Sequence, residues 1–136
     1  DRLSTSEISP ELFIRDFVNN MFNYSPQTVR QNSSRALTAS TPAFGESWRH
    51  RLGTPFLESV AREEVVQVTS VTTVEIKDME PRQFTAHVWT VRFRNSKISQ
   101  NTDEEKIKFE IQVFIGTPTK ENPWGYYVSS ISESKY

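Results

Sequence analysis

Hydrophobic residues near the start of the chain recur at spacings of three and four, which is the pattern of a helix with one apolar face. The members of this stripe are Phe13, Ile14, Phe17, Val18, Met21 and Phe22. Polar residues, including Arg15, Asp16 and Asn19, occupy the remaining positions. The pattern predicts an amphipathic helix over about 10–23.

Three hydroxyl–proline pairs predict helix starts: Ser9-Pro10, Ser25-Pro26 and Thr41-Pro42. The hydroxyl oxygen can accept from an unpaired backbone N–H, and proline at the first helical position loses no hydrogen bond. A second helix is therefore expected at about 26–37 and a third from Pro42. Gly53-Thr54-Pro55 should break or kink the third helix, leaving a further piece at about 55–63.

The second half of the chain reads as four strands, at about 65–77, 83–94, 106–115 and 124–133. In the first, four residues share one parity, but Val71 falls out of phase, which predicts a bulge or burial on both faces. The four are Val66, Val68, Val74 and Ile76. The second strand is apolar on both faces, which is typical of an inner strand covered on both sides. The third alternates strictly between apolar and polar residues.

The order of these elements predicts an α+β fold, because helices and strands are segregated along the chain. The connections between the strands are too short for crossover helices, so the sheet should be antiparallel. We expect a layer of about three helices on one face of a curved four-stranded sheet. This layout resembles the cystatin/NTF2-like cone, a step made by analogy.

The run Asn122-Pro123-Trp124-Gly125 predicts a rigid turn directly before the last strand. Proline fixes φ, and glycine supplies a backbone freedom, often a positive φ, that other residues resist.

Composition indicates a single globular domain. The chain has 136 residues, of which 35% are hydrophobic and 24% charged, and a net charge of −1. The near-neutral charge disfavours direct nucleic-acid binding. Cysteine is absent, which excludes disulfides and thiolate chemistry. No apolar run approaches the roughly 18 residues of a membrane span. The chain begins at Asp1 rather than Met, so we expect a fragment or a processed form of a longer product, and the nature of the preceding segment stays open.

The sequence contains no recognisable catalytic constellation. The two histidines, His50 and His87, lie in different predicted elements, so we expect no metal site, no cofactor and no catalytic residue. Five arginines are scattered through the helical half, where nearby acidic residues favour an ordinary mixed surface. They are Arg30, Arg35, Arg49, Arg51 and Arg62.

The first helix and its end carry more apolar residues than one narrow face accommodates. Core packing against the sheet is the favoured interpretation, and a subunit interface is the alternative. The candidates for self-association are Phe13, Phe17, Met21 and Tyr24.

Four segments of the chain resemble one family, the periplasmic domain of the bitopic inner-membrane subunit of type IV secretion systems (the eighth VirB-type component, TraE/TrwG-like). The segments are 13–24 (FIRDFVNNMFNY), 66–71 (VQVTSV), 85–93 (TAHVWTVRF) and 122–131 (NPWGYYVSSI). The most specific is the last, which matches an Asn-Pro-x-Gly-aromatic-x-Val signature. Two positions depart from the family, which usually has an aliphatic residue at Trp124 and an aromatic one at Ile131.

The resemblance implies a structural subunit without catalysis, serving conjugation or effector export. Residues 1–8 would link an upstream transmembrane helix to a periplasmic domain over 9–134. The implied partners are a second copy in a weak homodimer, other channel subunits, and the inner membrane through the upstream helix. The signature turn at Asn122, Pro123 and Gly125 would be a structural and protein-interaction element.

An alternative stays open, because NTF2-like cones can enclose an apolar pocket. The chain would then be a small-ligand-binding protein or an enzyme, and would need a buried acid or histidine in that pocket. His87 is the best candidate. A pocket closed by Trp89 and Phe109 without a perturbed titratable group would argue against the enzyme.

Overall fold

Four helices precede four strands in the structure, a computed structural model that describes residues 9–98 and 102–136. The helices are α1 (Pro10–Phe22), α2 (Val29–Thr38), α3 (Pro42–Arg51) and α4 (Thr54–Glu63). The strands are β1 (Val66–Lys77), β2 (Gln83–Asn95), β3 (Asp103–Ile115) and β4 (Tyr126–Lys135). The predicted linker at 1–8 lies outside the described residues.

The strands form one antiparallel sheet in the order β1-β2-β3-β4, as expected for strands joined by short connections. The helices pack against this open sheet, so the predicted α+β architecture is confirmed. The break predicted at Gly53 separates α3 from α4, which makes four helices rather than about three.

Two of the three predicted helix caps are formed. Ser9 Oγ accepts from the backbone N–H of Glu11 at 3.2 Å, and Thr41 Oγ1 accepts from that of Phe44 at 3.4 Å. The cap predicted at Ser25-Pro26 is wrong, because α2 begins at Val29 rather than at Pro26. Ser25 instead opens a turn in which its carbonyl accepts from the N–H of Val29 at 3.0 Å, so the helix starts one turn later.

The core lies between α1 and the inner face of the sheet. All six residues of the α1 stripe are buried. The ring of Phe22 stacks on that of Phe109 in β3, with centroids 4.5 Å apart. The ring of Phe13 meets Tyr126 of β4 edge-on at 5.2 Å. These contacts fix α1 across the middle of the sheet.

In the first half of β1, the polar residues face the core and the valines face the solvent. The alternation of valines in the sequence suggests the opposite orientation. Val66 and Val68 are 43% and 48% exposed, whereas Gln67 and Thr69 are each 4% exposed. The reason is the end of α1, where the carbonyl of Phe22 has no partner within the helix. That carbonyl accepts from Gln67 Nε2 at 2.9 Å and from Thr69 Oγ1 at 3.0 Å. Polar side chains are therefore buried here because they satisfy the helix terminus.

A bulge then restores the apolar pattern of β1. The register with β2 shifts between Val71 and Thr73, as the phase break in the sequence predicts. The extra residue puts Val71, Val74 and Ile76 on the same face, and all three pack against the core.

The prediction that β2 is covered on both sides is wrong for its outer face. Trp89, Val91 and Phe93 are only partly buried, because the helices lie on the other face. Part of the cover comes from a neighbouring strand, where the ammonium of Lys108 lies 5.0 Å from the Trp89 ring centroid.

Candidate interaction surface at the turn before the last strand

The turn before β4 is held by hydrogen bonds centred on Asn122, which is 2% exposed. Its amide Nδ2 donates to the carbonyl of Tyr126 at 2.7 Å, and its backbone N–H donates to Thr119 Oγ1 at 3.0 Å. Its carbonyl accepts from the N–H of Thr119 at 2.9 Å and from that of Gly125 at 3.2 Å. The asparagine thus joins both ends of the turn, and an alanine could not replace it.

Gly125 has the positive φ that the sequence predicts, at 75°. Its surroundings exclude a side chain as well, because a Cβ there would lie 3.1 Å from the carbonyl oxygen of Gly116 and 3.1 Å from Pro118 Cγ. The carbonyl of Gly125 accepts from the N–H of Gly116 at 2.8 Å, which ties the loop to the end of β3. Pro123 is exposed at the tip of the turn.

The turn is anchored in the core by the residues that flank Gly125. Tyr126 is 4% exposed, and burial raises the pKa of its phenol. Its ring meets Phe84 edge-on at 5.5 Å, and the indole of Trp124 meets Phe13 at 6.0 Å. The turn therefore lies beside the beginning of α1, and the two form one continuous surface.

A cavity of about 330 Å³ opens on this surface between α1, α2 and the turn. Phe13 and Trp124 line its apolar wall. The charged residues on its rim are Asp16, Arg35 and Glu121.

A second polar cluster lies at the opposite end of the inner sheet face. Glu105 accepts from Arg92 at 3.0 Å and from Lys135 at 2.8 Å, and Arg92 also reaches Glu133 at 3.6 Å. The hydrogen bonds from Lys135 and then from Arg92 hold the pKa of the Glu105 carboxyl below its usual value. Two acids and two bases balance here, which is the arrangement of a structural network.

Sequence reasoning missed this network, although the alternation of β2 contained a signal for it. Phe84, Ala86, Val88 and Thr90 point into the core, and the next residue of the same parity is Arg92. A cation on the inward parity requires partners on the neighbouring strand.

The four candidates for self-association lie mainly inside the protomer. Phe13 and Phe17 are each 1% exposed, and Met21 is 4% exposed. Tyr24 is partly buried, with its ring against Phe56 at 5.6 Å. The favoured interpretation, core packing, thus accounts for three of the four side chains, while self-association itself stays a prediction.

The residues that the ligand-binding alternative requires are not brought together. His87 lies on the outer face of the sheet beside Trp89, with ring centroids 6.2 Å apart, whereas Phe109 is on the inner face. A pocket closed by Trp89 and Phe109 therefore does not form. His50 is exposed on α3, 3.6 Å from a carboxyl oxygen of Glu46.

Within 9–98 and 102–136, no group of three or more His, Asp or Glu side chains could hold a metal ion. No helix in that part of the chain is long and apolar enough to cross a bilayer.

Several solved structures share this architecture over most of the chain, and components of type IV secretion systems are among them. A TrwG component of a type IV secretion system from Bartonella birtlesii superposes with a TM-score of 0.77 at 16% identity, covering 93% of this chain and 90% of that one. VirB8 from Agrobacterium tumefaciens gives 0.78 at 12% identity, with coverages of 100% and 96%. This is the fold of the VirB8-like proteins. TraE, in a complex with 2-(2-furyl)isonicotinic acid, gives 0.77 at 14% identity, with coverages of 100% and 99%.

The similarity to VirB8-like structures extends over nearly the whole length of both chains, so the resemblance predicted from four short segments is confirmed at the level of the fold. No family model matches the sequence, and no curated protein does either. At identities of 12–16%, the similarity shows a shared fold.

Proposed function

We propose that this chain is the periplasmic domain of a VirB8-like inner-membrane subunit of a type IV secretion system, with a structural role in assembling the channel. The observation that carries the proposal is the agreement between full-length fold similarity and the local sequence of the turn. The Asn122-Pro123-x-Gly125 turn is specific in sequence and tightly constrained in geometry. Fold alone does not imply function, so the turn adds the independent support.

A non-catalytic role agrees with how the interior is filled. The space between α1 and the sheet is occupied by packed side chains such as Phe22, Phe84 and Phe109, each at most 6% exposed. The ion pairs that Arg92 and Glu105 form on the inner face lie at the far end of the sheet, away from this packed space. A ligand-binding cone or an enzyme would need a polar group inside that packed space, so we place this alternative second.

The surface of the turn and the start of α1 is the proposed contact region for other copies of the chain or other channel subunits. Pro123 is exposed there, and Trp124 is half-buried. Leu12 adjoins Phe13 in α1 and is 56% exposed, an apolar side chain left in solvent. We propose that a weak homodimer uses such exposed residues, since Phe13, Phe17 and Met21 are already engaged in the core.

The proposal is tested by deleting the gene in its native host and measuring transfer of the DNA or protein substrate of the associated system. Transfer should be lost and then restored by the full-length gene on a plasmid. The levels and membrane association of neighbouring channel subunits should fall in the deletion strain, because a scaffold stabilises its partners. Unchanged transfer together with unchanged levels of those subunits would contradict the proposal.

A further inference from the structure

Asn122 lines the cavity between α1, α2 and the turn, and its side-chain oxygen is left without a partner. The amide Nδ2 is committed to the carbonyl of Tyr126 at 2.7 Å, which fixes the orientation of the side chain. The Oδ1 atom is buried and finds no hydrogen-bond donor among the described residues. Buried acceptors are almost always paired, so an unpaired one beside a cavity indicates a donor that the chain itself does not supply.

The walls of this cavity indicate what kind of donor it would accept. Two of its three charged rim residues are acids, Asp16 on α1 and Glu121 on the turn. Neither forms an ion pair with any part of the chain that the structure describes. The indole of Trp124 is partly exposed on the wall, and an aromatic face of this kind attracts cations.

Size agrees with a small group rather than a large ligand. The cavity holds about 330 Å³, near the lower end of the range for small-molecule sites, roughly 300–1,000 Å³. Several acceptors and an aromatic wall around one small space match a planar cation with several N–H donors. The guanidinium group has five such donors and stacks on aromatic rings, whereas an ammonium has three donors around a point charge.

We propose that this cavity binds a guanidinium group, with one N–H donating to Asn122 Oδ1, the carboxylates of Asp16 and Glu121 balancing the charge, and Trp124 against its face. The group would come from an arginine side chain of another protein or from a free guanidine. Arg35 on the α2 side of the rim opposes such a ligand, so its charge limits the affinity. The site depends only on this cavity and does not require a role in secretion.

The test is an NMR titration of the ¹⁵N-labelled protein with N-acetyl-arginine methylamide, with methylguanidinium as the free form. Both should shift the side-chain amide signal of Asn122 and the indole signal of Trp124 saturably. Tighter binding of the capped arginine would assign the site to a protein side chain, and tighter binding of methylguanidinium would assign it to a free guanidine. Tetramethylammonium, a cation without donors, should leave the Asn122 signal unmoved.

Substitution of the charged rim residues tests the electrostatics of binding and leaves the turn intact. Substitution of Asn122 would disrupt the turn itself, so it is not used. Asp16→Asn and Glu121→Gln should each weaken binding about two- to fivefold, as expected for a partly exposed ion pair. Arg35→Gln should strengthen binding by a similar factor, a change of opposite sign. Glu46→Gln is the matched control, because Glu46 is an exposed acid on α3 outside the cavity, and its effect should be nil.

Three results would overturn the proposal. The first is the absence of any saturable shift at Asn122 with either guanidinium probe. The second is an equal response to tetramethylammonium, or to N-acetyl-lysine methylamide at the same concentration. The third is weaker binding by Arg35→Gln. None of these results bears on whether the chain serves a secretion system, because the transfer assay addresses that separately.

Discussion

Replacing Gly125 is the sharpest test of how the turn is built, because two separate costs add at this position. The first is the backbone: a φ of 75° costs a residue with a Cβ about 1–2 kcal/mol. The second is space: a Cβ would lie 3.1 Å from the Gly116 carbonyl oxygen and 3.1 Å from Pro118 Cγ. One neighbour is a backbone carbonyl oxygen and the other is a proline ring carbon, neither of them the end of a flexible side chain, so relieving the contact costs about 1–3 kcal/mol.

Gly125→Ala should therefore destabilise the domain by about 2–5 kcal/mol, a large share of the ~5–15 kcal/mol typical of a folded domain. Gly125→Val should cost more, because a branched Cβ resists a positive φ most strongly. Gly125→Asn should cost less than Gly125→Val, since asparagine tolerates this backbone region. The measurement is urea unfolding followed by circular dichroism. In a separate thermal melt, the melting temperature of the alanine variant should fall by about 8–20 °C at roughly 4 °C per kcal/mol.

Gly45 offers a matched control of opposite sign. It lies inside α3, and a Cβ there would meet only the Cβ of Ser40 at 3.9 Å, an ordinary contact. Gly45→Ala should stabilise the domain by about 0.5–1 kcal/mol, because alanine is the better helix former. If Gly125→Ala lay within about 0.5 kcal/mol of the wild type, with Gly45→Ala behaving as expected, the backbone argument for the turn would be refuted.

Three further predictions concern charge, burial and association. Because Lys135 and Arg92 lower the pKa of Glu105, the stability that this carboxylate contributes is present above pH 4.5 and lost as pH falls through the folded-state pKa. Glu105→Gln should make the acid decline in unfolding free energy shallower, and an unchanged slope would speak against the network. Burial raises the pKa of Tyr126, so the free energy of unfolding should fall as pH rises above 10.0. In a pH titration, the phenolate absorbance of Tyr126 should appear at a higher pH than that of the exposed tyrosines. Leu12→Glu should abolish weak self-association in sedimentation equilibrium while keeping the melting temperature, and persistent dimers would exclude Leu12 from the interface.

The sequence predicted elements more reliably than it predicted which face of an element is buried. The α1 stripe determined its own orientation because six apolar residues leave only one face to bury. In β1, the valines at 66 and 68 show only that they share a face, and period-two alternation cannot say which face lies inward. Gln67 and Thr69 are buried for a tertiary reason, the unpaired carbonyl at the end of α1, which no local pattern contains.

In the candidate site, too, the local feature was predictable from the sequence and the feature that depends on tertiary packing was not. The constraint on Gly125 was readable from the chain, because a tight turn with proline and glycine needs few local assumptions. The cavity beside it was not readable, since its rim combines Asp16 of α1, Arg35 of α2 and Glu121 of the turn, which are far apart in sequence. The mixed charges of these residues resemble an ordinary surface until packing places them around one buried amide oxygen.

Membrane topology of the full-length product tests the central claim most directly. The measurement is fractionation of cells that express the complete gene, followed by protease treatment of spheroplasts with an antibody against this domain. The account predicts that the product sediments with the inner membrane and that the domain is digested from the periplasmic side. A product recovered in the cytosolic fraction, or a membrane-bound domain that only lysis exposes to protease, would contradict it.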